Sequence, residues 1–246
     1  MRNSLVIIPT YNEKENIEAI IRKVYSISSQ CHILIVDDNS PDGTADIVKR
    51  LQSEKEEGHR LHILERAGKL GLGTAYIAGF RFGIEKKYDY IFEMDADFSH
   101  NPNDLPKLYL ACDEEGADLA VGSRYKNGVN VVNWPMKRVL MSYFASSYVR
   151  FITGMPLHDA TAGFVCYRRT LLESLDLDKI RYIGYAFQIE MKFATWRKGF
   201  KIEEVPIVFT DRTKGVSKMS VGIFKEAFFG VIALKIRSLF RSPSTH

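Results

Sequence analysis

Apolar and polar residues follow two alternating rhythms along the first half of the chain. Compact apolar stretches at 5–8, 32–36, 61–64, 90–94 and 118–121 read as buried strands. Between the strands the apolar positions fall at helical spacing. Ile17, Ile20, Ile21 and Val24 do so within 16–25, and Ala45, Ile47, Val48 and Leu51 within 44–51; 74–84 and 105–112 continue the series. Strand and helix in alternation predict an α/β fold with a mostly parallel, Rossmann-like sheet and flanking helices. No internal repeat, low-complexity tract or linker interrupts the chain, so residues 1–246 are expected to form one unit.

In such a fold ligands bind outside the C-terminal ends of the strands, and polar residues collect there. Pro9-Thr10-Tyr11-Asn12-Glu13 follows the first strand. The run from Asp37 to Thr44 follows the second, with Asp42-Gly43 as a turn and Thr44 as a helix cap. An acid at the end of that strand, Asp37 or Asp38, can accept hydrogen bonds from a base or ribose. The fourth strand runs into Asp95-Ala96-Asp97, whose alternation points both carboxylates to one side. Two such groups repel unless a cation lies between them, and Mg²⁺ or Mn²⁺ on a diphosphate meets that need. A solvated acidic turn is the plain alternative. Gly68-Lys69-Leu70-Gly71-Leu72-Gly73 has neither phosphate-loop nor dinucleotide-fingerprint spacing and reads as a turn that brings Lys69 near a ligand.

Charge divides the chain. Residues 1–118 carry 14 Lys/Arg against 21 Asp/Glu, and residues 119–246 carry 20 against 9. A basic second half suggests an anionic partner, whether phosphates, a membrane surface or nucleic acid. Two stretches there combine helical apolar spacing with basic charge. In 134–152 these are Met136, Val139, Leu140, Tyr143, Phe144 and Phe151 with Lys137, Arg138 and Arg150; in 221–240, Ile223, Phe224, Ala227, Phe228, Val231 and Leu234 with Lys225, Lys235 and Arg237. Each is either an interfacial membrane helix or an ordinary core helix. No apolar run approaches the ~20 residues of a membrane span, and the opening apolar run is cut at Pro9, so neither an integral membrane protein nor a signal peptide is expected. Cys31, Cys112 and Cys166 are too dispersed for a disulfide framework and read as buried thiols of a reducing compartment.

Pro9-Thr10-Tyr11-Asn12-Glu13, the Val36–Thr44 run, Met94-Asp95-Ala96-Asp97 and Gly122-Ser123-Arg124-Tyr125 stand in the order seen in inverting family-two glycosyltransferases of the GT-A fold. Within that family the chain most resembles the dolichol- or polyprenol-phosphate mannose synthases. The likeness extends through Trp134-Pro135-Met136-Lys137-Arg138, Thr161-Ala162-Gly163-Phe164, 184–190, 204–207 and 212–218.

The resemblance implies transfer of mannose from GDP-mannose to a polyprenyl monophosphate, with inversion. It implies a nucleotide-sugar half, 1–123, and an acceptor-binding, membrane-facing half, 124–246. Pro9, Tyr11 and Glu13 would hold base and ribose, with Val36 and Asp38 on the base wall. Asp95, Ala96 and Asp97 would hold Mg²⁺ or Mn²⁺ and the sugar diphosphate, and Arg124, Arg212 and Lys218 the phosphates. Ser99 stands where the family often has Gln, so position 99 is not counted among the metal ligands. Arg138, Ser142, Asp159, Gln188 and Glu190 are candidates around the sugar and acceptor, although Asp159 and Glu190 could instead pair with a local arginine. A cytoplasmic enzyme resting peripherally on the membrane is expected, held by its basic helices or by a separate transmembrane partner. The rivals are a polyprenyl-phosphate glucosyltransferase using UDP-glucose and a family-two enzyme acting on a sugar hydroxyl. Nothing aromatic and basic interleaves as in an RNA module, so no nucleic-acid partner is expected.

Overall fold

The structure, a computed structural model, describes residues 1–54, 58–184, 186–211 and 221–239. In chain order the elements are β1 (Ser4–Thr10), α1 (Ile17–Ile27), β2 (Cys31–Asp37), α2 (Thr44–Gln52), β3 (Leu61–Glu65), α3 (Leu72–Glu85), β4 (Tyr90–Glu93), α4 (Leu105–Asp113) and β5 (Leu119–Ser123). There follow β6 (Val131–Val132), α5 (Met136–Thr153), β7 (Val165–Arg168), α6 (Arg169–Ser174), α7 (Ala186–Arg197), β8 (Ile202–Pro206), β9 (Phe209–Thr210) and α8 (Val221–Leu239).

Seven strands form one sheet in the order β3-β2-β1-β4-β7-β5-β8, and β6 pairs with β9 apart from it. Only β7 runs antiparallel to its neighbours in the large sheet. The ends of β1, β2, β4 and β5 therefore open on one edge. Thr10 lies beside Asp37, and Ile7 beside Glu93, in register. The chain order reverses between β1 and β4, which leaves a crevice there.

Both faces of the sheet are covered, which is why the strands are continuous apolar runs rather than alternating ones. Ile20, Val24, Val48 and Leu108 of α1, α2 and α4 pack against one face. Tyr76, Phe80, Leu171, Phe187 and Met191 of α3, α6 and α7 pack against the other. Helix α3 lies close on the sheet because Gly79 and Gly83 have no Cβ: one built there would stand 2.7 Å from Ile7 and from Ile91. A third cluster joins α5, α7 and α8 through Val149, Ile189, Phe193, Val231 and Leu234.

All the strands and helices that periodicity foretells are present. The periodicity does not foretell β6, β7, α6, α7, β8 and β9. In α7 every residue from Ala186 to Phe193 is buried, so no polar face marks it as a helix. No helix among the described residues is long and apolar enough to cross a membrane. All three cysteines are buried and free.

Candidate active site

The sheet edge opens into a cavity of about 860 Å³. Its first wall is made by the turns after β1 and β2. Asn12 and Asn39 adopt left-handed backbone conformations, φ 57° and 58°, which asparagine tolerates. They bring the two turns together: Asn12 N–H donates to Ser40 Oγ (3.0 Å), Glu13 N–H to Thr44 Oγ1 (3.1 Å) and Lys14 N–H to Asp42 Oδ2 (3.0 Å). Gly43 (φ 88°) is the N-cap of α2, and Asp42 just before it, rather than Thr44, supplies the side-chain acceptor, taking the Thr44 N–H and hydroxyl. Burial pushes the Asp42 carboxyl up, but these donors outweigh it and hold it below its usual range.

Pro9, Tyr11, Glu13 and Asp38 line this wall, and Lys69 joins them with its ammonium 5.0 Å from the centre of the Tyr11 ring. The two acids after β2 have separate fates. Asp37 is buried and accepts from Thr10 Oγ1 (2.8 Å) and from Ser40 N–H and Oγ (2.8 and 2.6 Å), so it ties the turn together. Asp38 faces the cavity and is gripped by Arg66, whose Nε lies 2.6 Å from Oδ1. Arg66 is held in turn by Thr74 Oγ1 and Gly71 O. No local signal in the sequence singles out Arg66. Val36 is fully buried in the core with Leu34 and Ala75 and is absent from the residues lining the cavity, so its side chain does not form a base wall.

Asp95, Ala96 and Asp97 all line the cavity. Asp97 is mostly buried and accepts the Ser99 N–H (3.0 Å) across Phe98, whose φ is 61°. Asp95 is more open, with the Tyr76 hydroxyl 3.5 Å from Oδ1. Its own N–H donates to His100 Nδ1 (3.1 Å), which occupies that imidazole lone pair. Burial lowers the basicity of His100, which stacks on Phe164 at 5.0 Å. Among the described residues no group of three or more His, Cys, Asp or Glu side chains is placed to hold a metal. Two carboxylates opening on a cavity are hard oxygen donors. They fit a divalent ion that takes its remaining ligands from a phosphate, rather than one enclosed by protein.

Arg124, just beyond β5, presents a cation to the cavity from a fixed position. Asp159 accepts its backbone N–H (3.0 Å), Nε (2.7 Å) and Nη2 (2.6 Å), and Thr161 Oγ1 accepts Nη2 at 2.9 Å. Burial would raise the Asp159 carboxyl, yet Arg124 outweighs it and holds it below its usual range. Glu204 secures the same loop by accepting the N–H groups of His158 and Asp159, each at 2.9 Å. Arg138 pairs with Asp211 (2.9 Å) and lies 4.0 Å over the Trp134 ring. Trp134, Arg138, Ser142 and Phe209 line the cavity together with Arg124. The wall then becomes apolar: Met141, Phe144, Ala145 and Tyr148 of α5 face Phe228 and Val231 of α8.

Two acids expected near the acceptor are placed elsewhere. Asp159 is wholly buried as the partner of Arg124, not of a nearby arginine such as Arg168. Glu190 accepts the N–H groups of Arg181 (2.8 Å) and Tyr182 (3.0 Å) and fixes the chain entering α7. Neither lines the cavity. Gln188 does line it, and its carboxamide is bonded to Glu93 and Lys192. Arg212 and Lys218 lie outside the described residues.

Comparison with known proteins agrees with this geometry. Residues 5–176 match the model of glycosyl transferase family 2. The chain is 47% identical over 236 residues to a polyprenol monophosphomannose synthase of Mycolicibacterium smegmatis, covering 96% of this chain and 88% of that one. It is 46% identical over 227 residues to an undecaprenyl-phosphate mannosyltransferase of Micrococcus luteus, covering 92% and 91%. Among solved structures, the glucosyl-3-phosphoglycerate synthase of Mycobacterium tuberculosis in complex with Mn²⁺, UDP and glucosyl-3-phosphoglycerate superposes with a TM-score of 0.69. That match covers 99% of this chain and 82% of that one at 17% identity, and it shows a shared GT-A-type fold.

Proposed function

The chain belongs to glycosyl transferase family 2, and from that premise we propose that it transfers mannose from GDP-mannose to a polyprenyl monophosphate, releasing GDP. The relatives' names support the sugar and the acceptor class. One observation carries the chemistry. Among the described residues, all the acids lining the cavity (Glu13, Asp38, Asp95 and Asp97) stand at the strand ends, whereas the α5–α8 side offers Arg138, Ser142 and apolar groups. A hydroxyl acceptor requires a carboxylate base on its side of the sugar. A phosphate monoester does not, since its second ionisation lies near pKa ~6 and it arrives as a dianion.

The acceptor phosphate oxygen attacks the anomeric carbon as the bond from that carbon to the β-phosphate breaks. The electron pair leaves on GDP, and the configuration inverts from α to β. Asp95 and Asp97 would hold Mg²⁺ or Mn²⁺, which supplies Lewis-acid neutralisation of the leaving diphosphate. Arg124, fixed by Asp159, adds a preorganised cation at no reorganisation cost during the reaction. Arg138 and Ser142 position the acceptor phosphate, and the apolar wall of α5 and α8 receives its first isoprene units.

The same two helices are the part of the molecule suited to a membrane surface. Met136, Phe144 and Phe151 of α5 are 70%, 64% and 86% exposed, and Phe229 of α8 is 66% exposed. Aromatic side chains beside basic ones suit an interface with anionic lipid. The three free thiols suit the cytoplasmic side.

The direct test is transfer of radiolabelled sugar from GDP-mannose to polyprenyl phosphate in detergent, with Mg²⁺, Mn²⁺ or EDTA. Mannolipid that disappears with EDTA supports donor, acceptor and metal together. Product from UDP-glucose alone overturns the choice of donor.

A further inference from the structure

A buried charged network beneath the acidic pair has no part in the chemistry above. Glu93 and Lys192 are both fully buried, one at the end of β4 and the other within α7. Burial pushes the Glu93 carboxyl up and the Lys192 ammonium down, and each charge opposes the other's shift. Between them stands the Gln188 carboxamide.

The bonding pattern fixes the amide in one orientation. Lys192 Nζ has three donors and three acceptors: Ala162 O (2.6 Å), Gln188 O (3.2 Å) and Gln188 Oε1 (3.1 Å). Glu93 takes the Tyr167 hydroxyl on Oε1 (3.0 Å) and the Gln188 Nε2–H on Oε2. An ammonium cannot face the amide nitrogen, so a flip would turn the Lys192 contact repulsive. Nε2 has a second N–H.

Nε2 itself stands close to Gly163. A Cβ built on Gly163 would stand 3.7 Å from Gln188 Nε2 and 3.6 Å from His100 Cε1. Gly163, Gln188 and His100 all line the cavity, and His100 is bonded to the backbone of Asp95. The bare floor at Gly163 thus lies beside the place where a sugar on a diphosphate would rest.

We propose that the second Nε2–H of Gln188 donates to a hydroxyl oxygen of the donor hexose, and that Glu93 and Lys192 are positioning residues that lock the amide for this contact. The assignment rests on the sugar-nucleotide reading above. A locked donor rejects a sugar lacking its partner oxygen, because the N–H is then left unpaired.

The test measures kcat/KM for GDP-mannose and for its 2-, 3-, 4- and 6-deoxy analogues, together with GDP affinity by calorimetry. The wild type is expected to disfavour one deoxy donor by about tenfold or more. Gln188→Ala is expected to lose that preference at the same position while its GDP affinity stays within about twofold. Gly163→Ala meets only ordinary contact distances, so it folds; its methyl covers the N–H and lowers kcat/KM for GDP-mannose about tenfold with GDP affinity kept. The double variant Glu93→Gln with Lys192→Met removes both buried charges at once, avoiding a lone one. It is expected to bind GDP normally and to discriminate less. A Gln188→Ala enzyme that keeps the wild-type pattern among deoxy donors overturns the inference and leaves the mannosyl reading standing. A wild type that makes no mannolipid overturns the mannosyl reading, and the inference falls with it.

Discussion

At the strand ends the polar groups are bonded to one another: Asp37 to Thr10 and Ser40, Asp38 to Arg66, Arg124 to Asp159. On the α5–α8 side the wall is apolar, and large side chains such as Phe144 and Phe151 stand in solvent. The first region resembles an electrostatic template, whose dipoles and charges are fixed before the reaction. The second gains its energy only when apolar surface leaves water. Substitutions in the two regions should therefore fail in different ways.

The largest effect is expected at the acidic pair. Asp97→Asn keeps the volume and the Ser99 contact but removes one anion from the strand end. Mannolipid formation is expected to fall by at least about 10³-fold, measured as kcat with saturating donor and acceptor. Asp97→Asn turnover near the wild-type rate would remove the metal assignment and, with it, the idea of a template at this end.

Next in size is the support beneath Arg124. Asp159→Asn leaves a buried guanidinium without its counter-charge, which is expected to cost about 3 kcal/mol of stability, roughly 10 °C in Tm. Because the Asp159 carboxyl is held below its unfolded value, its stabilising contribution is full above ~pH 4 and is lost as pH falls further. The acid limb of the wild-type stability curve should accordingly be steeper than that of the variant. Equal limbs in a pH-resolved denaturation series would show that Arg124 does not depend on this partner.

The same two regions differ in how far the sequence discloses them. The strand ends are legible because an apolar run and the acids that end it are neighbours in the chain, as at Tyr90 to Asp97. The Arg124–Asp159 pair is not, since the arginine's partner lies beyond the whole of α5 and only folding brings the two together. Asp159 and Glu190 are visible as acids, but their bonds, to the buried Arg124 guanidinium and to two backbone N–H groups, tie them into the scaffold. Arg66 has no marker at all. β7 escapes notice because it is inserted antiparallel between β4 and β5, an arrangement that local pattern does not encode. Lys192 carries a local signal: it is a lone cation in the otherwise uncharged stretch from Met191 to Trp196, which marks a buried partner.

On the apolar side, Phe151→Asp combined with Phe229→Asp is expected to weaken sedimentation with anionic liposomes by about tenfold. Neither residue lines the cavity, so activity in detergent should stay within about twofold. Unchanged liposome binding would remove the membrane role from these helices. Arg138→Ala acts on the same side but inside the cavity. It is expected to raise KM for the polyprenyl phosphate about tenfold while leaving KM for the donor unchanged.

The smallest effect, and the sharpest separation of the two regions, is expected from Lys69. Its ammonium lies 5.0 Å from the centre of the Tyr11 ring, within reach of a cation–π contact worth about 0.5–1 kcal/mol at an exposed site. Lys69→Ala therefore loosens one wall of the strand-end side without touching the acidic pair. Donor KM is expected to rise about two- to fivefold, with acceptor KM and kcat unchanged. Set beside Arg138→Ala, it gives a crossed pair in which each variant disturbs one substrate alone. A Lys69→Ala enzyme with raised acceptor KM would mean that the two ends of the cavity are coupled. The fixed charges at the strand ends would then sense the acceptor as well as the donor.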